Sequence, residues 1–145
     1  MTAFTGGCLC GDVRFQASGE PYRVGLCHCL DCRKVHGALF HASAIFPEDA
    51  VTISGETHEY QGRHFCPRCG SSVFNRSADE VEVNLGALDA PDRLKPTYEQ
   101  WTIRRESWLL PSRANSGNAQ QSLMTLTKTE RIPVVQRKGE YRAET

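Results

Sequence analysis

The chain has 145 residues and a mass of 16.2 kDa, and its 17 Lys+Arg balance 17 Asp+Glu, so the formal net charge is zero. At 39% hydrophobic and 23% charged residues it is too apolar for a disordered chain and too polar for a membrane protein. The length suits one domain with a modest core. Zero net charge argues against a general polyanion binder, and no apolar run approaches the roughly 20 residues needed to cross a bilayer.

Met1 to Gly7 carries neither a basic start nor an apolar segment, so no secretory signal is expected and the chain reads as cytoplasmic. Gly11 to Ala17 alternates, with Val13 and Phe15 on one face, which predicts a half-buried strand. Asp31 suits the N-cap of a short helix over Cys32 to His36, with Gly37 ending it. Leu39 to Phe46 is short and apolar, and Pro47 closes it. Val51 to Ile53 and His58 to Tyr60 flank Ser54-Gly55-Glu56, which predicts a hairpin. Ser72 to Asn75 and Val81 to Leu88 read as two further strands around a polar turn at Ala78 to Glu80. No long window keeps a 3.6-residue period, so the body is predicted to be mainly β.

Beyond Trp108 the composition changes. From Ile103 onward there are eight Lys+Arg against four Asp+Glu, a net of +4 (8 − 4). Basic residues without aromatic interleaving do not make a nucleic-acid surface, and neither nucleic acid nor a membrane is expected as partner. The chain is divided into a domain at 1–111 and a tail at 112–145, with edge strands expected at Leu123 to Thr127 and Ile132 to Gln136.

Seven cysteines carry the strongest signal: Cys8, Cys10, Cys27, Cys29, Cys32, Cys66 and Cys69. An odd count, close spacing and no secretion signal favour metal ligands over disulfides. On a strand, Cys8 and Cys10 would point to one face and grip one ion. Cys66-Pro67-Arg68-Cys69 followed by Gly70 reads as a zinc-ribbon knuckle. Cys27, Cys29 and Cys32 can fill three corners of a tetrahedron without distant help. The two remaining pairs would then close a four-cysteine site, which is the preferred division. The opposite pairing joins the knuckle to the triple, and His28, His36, His41 or His64 could each supply the triple with a fourth ligand.

The segments Gly7-Cys8-Leu9-Cys10-Gly11, Cys27-His28-Cys29-Leu30-Asp31-Cys32-Arg33-Lys34 and Phe65-Cys66-Pro67-Arg68-Cys69-Gly70 resemble the glutathione-dependent formaldehyde-activating enzyme family, also described as the centromere-protein-V/formaldehyde-activating domain. The resemblance runs from about Gly6 to Pro111 and takes in the closing stretch Pro96 to Trp108. It implies an Mss4-like fold of small twisted antiparallel sheets pinned by a structural zinc on Cys8, Cys10, Cys66 and Cys69. It implies a second, catalytic zinc on Cys27, Cys29 and Cys32, hence two zincs per chain. The implied activity is that of a carbon–sulfur lyase, adding a small thiol such as glutathione to formaldehyde to give S-hydroxymethylglutathione. The chain departs from the family at Pro96-Thr97-Tyr98-Glu99, where many members carry a His shortly after the proline.

His28 reads as an outward spacer between two ligands, with a catalytic role as the alternative. Arg33 and Lys34 either balance the charge of the triple or anchor a substrate carboxylate. His36, His41 and His64 are expected to be packed or hydrogen-bonded, and Trp101 and Trp108 to cover the sheet or fill the core. The competing function is a non-catalytic zinc module that binds a partner or carries metal. A methionine-sulfoxide-type reductase would need a redox cysteine outside the two sites, and none is spare.

Overall fold

The computed structural model describes residues 2–112, and the expected tail strands at 123–127 and 132–136 lie outside them. The ten strands among the described residues are β1 (Ala3–Gly7), β2 (Arg14–Ser18), β3 (Arg23–Cys27), β4 (His41–Pro47), β5 (Val51–Ser54), β6 (His58–Tyr60), β7 (Arg63–Phe65), β8 (Ser72–Ser77), β9 (Glu80–Asn84) and β10 (Tyr98–Gln100). The α-helix among the described residues, α1 (Leu30–His36), joins β3 to β4. The mainly β expectation is met. Among the described residues no helix is long and apolar enough to cross a membrane.

Two sheets form: β1-β2-β5 with three strands and β10-β3-β4-β9-β8-β7-β6 with seven. All pairings are antiparallel except that of β10 with β3. Alternation in β1 and β2 turns Phe4, Phe15 and Ala17 inward, where they meet Ala44, Phe46, Val81 and Val83 of the larger sheet. The Phe4 and Phe46 rings meet at 5.8 Å between centroids and join the two layers. Cys8 and Cys66 belong to this same core cluster.

The other face of the larger sheet is polar. Residues directly opposite across neighbouring strands share a face. The registers Cys27↔His41, Ser43↔Asn84 and Asn75↔Glu82 therefore put Cys27, His41, Ser43, Asn84, Glu82 and Asn75 on one surface. At its edge the Tyr98 ring covers Gly25, where a Cβ would lie 2.3 Å from the ring. Gly25 is thus the residue that lets β10 lie flat beside β3.

Several local expectations are corrected. Val51–Ser54 and His58–Tyr60 are strands, but they do not form a hairpin with each other. β5 pairs with β2 and β6 with β7, because Val51 and Ile53 pack under Phe15 while β6 is exposed throughout. Gly55 at φ 92° runs close against the Asp12 carbonyl and diverts the chain between the two sheets. The strand expected from Gly11 begins at Arg14, and the one expected to reach Leu88 ends at Asn84, where Leu85–Ala87 forms a 3-10 turn. The helix starts one residue earlier than its expected cap: Cys29, not Asp31, is the N-cap, and its sulfur accepts the Cys32 N–H. Gly37 ends it at φ 56°, as expected.

Candidate functional site

Cys8 and Cys10 do not lie on a strand. They follow β1 in a turn closed by Gly11 N–H to the Cys8 carbonyl at 3.1 Å, with Gly11 at φ 84°. The Cys66–Cys69 knuckle mirrors this turn: Gly70 N–H donates to the Cys66 carbonyl at 2.9 Å, and Gly70 has φ 73°. In each turn the leading cysteine donates its N–H to the carbonyl five residues on, Val13 for Cys8 and Ser71 for Cys66. Two like turns from distant segments thereby aim four sulfurs at one point. The Cys8 and Cys10 sulfurs are 3.5 Å apart and those of Cys10 and Cys66 3.6 Å, and all four lie within 4.8 Å of one another.

These separations suit a metal. Thiolates at about 2.3 Å from a tetrahedral zinc lie about 3.8 Å apart, whereas a disulfide needs about 2.05 Å. The protonation pattern points the same way. Hydrogen bonds from the Ser71 hydroxyl and backbone, with one from the Cys10 backbone, pull Cys69 down to about 5. Cys10 is pushed up to about 12: the Asp12 N–H favours its thiolate, but burial and the neighbouring sulfurs outweigh it. Sulfurs crowded this closely compete for negative charge, and a divalent cation lets all of them ionise together.

The second cluster is built at the junction of β3 and α1. Cys27 ends β3, Cys29 caps the helix and Cys32 lies in its first turn, so the three sulfurs converge within 4.8 Å. The Cys32 N–H donates to the Cys29 sulfur at 3.3 Å. Hydrogen bonding from Cys32 pulls Cys27 down to about 6, aided by the Cys29 backbone and against burial, and the same contact pushes Cys32 up. Among the described residues no fourth Cys, His, Asp or Glu joins this group. Both clusters could hold a metal ion, and their membership is the four-and-three division expected from spacing.

The surrounding residues revise other expectations. His28 is not an outward spacer: it is 1% exposed, 5.7 Å from the Phe40 ring, with Nε2 4.0 Å from the buried Glu99 carboxylate. Burial holds it below the usual imidazole range, which Glu99 only partly offsets. Glu99 is fixed by Arg105 at 2.7 Å and the Ser112 N–H at 2.8 Å. The guanidinium of Arg33 is already partnered within the fold. It pairs with Glu106 and donates to the Arg104 carbonyl at 2.7 Å, tying α1 to the 104–106 segment. Lys34 is exposed. Trp101 and Trp108 are not core: they are 47% and 68% exposed.

His36, His41 and His64 are packed, as expected. His64 stacks on Phe74 at 4.5 Å, and His36 stacks on His41 at 4.0 Å. His41 is buried, with Nε2 2.7 Å from Asn84 Oδ1 and Nδ1 3.8 Å from Glu82. Asn84 in turn donates to the Ser72 hydroxyl at 3.1 Å, and Glu82 accepts from Ser43 and Asn75. This network was missed from sequence. One signal for it exists in the four-residue step from Cys32 to His36, which shares a helix face; Glu82 and Asn84 carry none.

A sequence profile described as "Glutathione-dependent formaldehyde-activating enzyme" matches residues 3–104. A curated Halomonas elongata protein named "Putative glutathione-dependent formaldehyde-activating enzyme" is 35% identical, over 48% of this chain and 53% of its own length. The match thus spans about half of that relative. A crystal structure of a Rhodobacter sphaeroides protein superposes with a TM-score of 0.51 at 18% identity, over 66% of this chain and 98% of that one, so the two share a fold.

Proposed function

The chain belongs to the glutathione-dependent formaldehyde-activating enzyme family, and on that premise we propose that Cys27, Cys29 and Cys32 hold a catalytic zinc beside which a small thiol, glutathione or a similar one, adds to formaldehyde. One observation carries this reading: three sulfurs converge with no fourth protein ligand among the described residues. Closed four-ligand sites are structural, and three-ligand sites keep a position for substrate. A zinc held there would favour the thiolate form of an incoming thiol at neutral pH. The thiol sulfur forms a bond to the formaldehyde carbon, the carbonyl π electrons move to oxygen, and the proton lost from sulfur ends on that oxygen as a hydroxyl. The reverse step breaks the carbon–sulfur bond, which places the activity among carbon–sulfur lyases.

The chain's own residues would shape this site in stated ways. Cys29, as helix cap, fixes the triple to the start of α1, and the β3–β4 pairing fixes Cys27 opposite His41. His28 and Glu99, both buried, brace the turn between the ligands. The four-cysteine cluster is proposed to hold a structural zinc that pins the N-terminal sheet to the knuckle, as in an Mss4-like fold. Residues 1–111 would then be the complete zinc-binding unit, acting in a cytoplasmic setting that keeps its thiols reduced.

A second reading, a non-catalytic zinc module, has one observation in its favour. Ile103 and Leu110 are each 85% exposed and, with Trp101 and Trp108, lie on the segment that follows β10. Apolar exposure of this kind suits a partner surface. Exchange spectroscopy by NMR separates the two readings. Formaldehyde and glutathione equilibrate slowly with their adduct, and the zinc-loaded chain is expected to accelerate that exchange in proportion to its concentration. Full zinc content without acceleration would favour the non-catalytic module.

A further inference from the structure

Cys29 and Cys32 begin α1, a helix of seven residues, none of them buried. Helices shorter than about 12 residues are marginal in water, so tethers from elsewhere must set where this one sits. The segment 97–112 supplies them, some 70 residues further along the chain. The Thr97 N–H donates to the Val24 carbonyl at 2.9 Å, and β10 then follows β3 in parallel as far as Gln100 opposite Cys27. The His28 N–H donates to the Gln100 carbonyl at 3.0 Å, so the segment reaches the turn between two ligands. Past Trp101 it crosses to α1, where the Arg104 carbonyl and the Glu106 carboxylate both engage Arg33.

Glu99 is the hub of this segment. Its side chain is 1% exposed, and its carboxylate accepts from Arg105 at 2.7 Å and from the Ser112 N–H at 2.8 Å. The same carboxylate lies 4.0 Å from Nε2 of His28, the residue between Cys27 and Cys29. It therefore links both ends of the segment to the ligand turn. Burying a carboxylate is costly unless charge and hydrogen bonds offset it, as Arg105 and the Ser112 N–H do here. The four-cysteine cluster is held differently, by its own two turns and by the core, and none of these tethers reaches it.

We propose that residues 97–112 are a brace for the three-cysteine site, with Glu99 as its positioning residue. By holding His28 and α1 against β3, the brace keeps the three sulfurs converged and slows the loss of the metal they hold. This rests on the reading above that the triple binds zinc, and it is independent of whether that zinc is catalytic. Groups that orient metal ligands from outside typically contribute about 10- to 100-fold in metal affinity.

The test follows zinc leaving the zinc-loaded full chain into excess 4-(2-pyridylazo)resorcinol, a chelator that colours as it binds. Two release phases are expected from the wild type, and the one missing from Cys29→Ser belongs to the triple. Glu99→Gln is expected to speed that phase at least about tenfold and to leave the other phase unchanged. In the cobalt-loaded protein it is expected to move the absorption bands of the triple while circular dichroism stays the same. Glu106→Gln, at the more exposed end of the brace, is expected to speed the same phase to a smaller extent. Unaltered release from a folded Glu99→Gln, or equal acceleration of both phases, would overturn the proposal. If Glu99→Gln fails to fold, Glu106→Gln decides, and unaltered release of the triple's metal from it would overturn the proposal. Failure of the functional reading looks different. Selective metal loss without accelerated formaldehyde exchange by the wild type would leave the brace and remove the enzyme, whereas accelerated exchange with unaltered metal release would do the reverse.

Discussion

Cys66→Ser is expected to cost the chain its stable fold, with the cooperative thermal transition lowered by tens of degrees or lost. The argument is topological. Cys8 and Cys10 precede the central sheet and Cys66 and Cys69 follow most of it, so their convergence closes a loop of 56 residues between Cys10 and Cys66. A covalent clip over a loop of that size contributes about 4 kcal/mol, and a shared metal acts on the unfolded chain in a similar way. For a domain of this size each kcal/mol shifts the midpoint by roughly 4–8 °C. Cys66 is also fully buried in the core cluster that joins both sheets, so a serine there places a hydroxyl in a largely apolar interior. Thermal melts followed by circular dichroism, with zinc content measured on the same sample, check this. An unchanged midpoint with full zinc would remove the structural assignment.

Cys29→Ser is expected to do the opposite: keep the fold and lose the chemistry. Cys27, Cys29 and Cys32 lie within one short stretch, so their convergence staples almost no chain. The substitution also spares the cap, because a serine hydroxyl accepts a backbone N–H at a helix start as well as a thiol does. The variant is therefore expected to show near-wild-type circular dichroism, to bind about one zinc where the parent binds about two, and to lose all acceleration of formaldehyde exchange. Retention of both zincs, or of full activity, would show that the triple is not the reactive centre.

The cysteine pattern was legible in the sequence because metal ligands are marked by residue type and spacing, and both survive any detail of the fold. The four-and-three division was reachable for the same reason. The strand pairings were less so. β3 holds Gly25 in its interior and keeps no clean alternation, and β10 has three residues, so neither stands out until Tyr98 is seen lying on Gly25. The false hairpin at Ser54 to Glu56 shows how a turn signal marks a change of direction without naming the strand to pair with. Register decides that, and here Phe15 and Ile53 set it across the other sheet. Trp101 and Trp108 misled for a different reason. Large aromatic residues usually complete a core, but Trp101 sits at φ 55°, where the chain leaves β10 and turns its ring outward. The polar network of His41, Asn84 and Glu82 had almost no local signature, since only the sheet brings those residues together.

The central claim is that the triple holds a metal with a position open to a thiol. Cobalt in place of zinc makes that position visible, because its absorption bands report each change of ligand. Subtracting the spectrum of cobalt-loaded Cys29→Ser from that of the cobalt-loaded wild type isolates the triple. Titration with glutathione is expected to add sulfur-to-cobalt intensity to this difference spectrum and to saturate at one thiol per chain. A difference spectrum indifferent to glutathione and to every other small thiol would contradict the account and leave both clusters as structural sites.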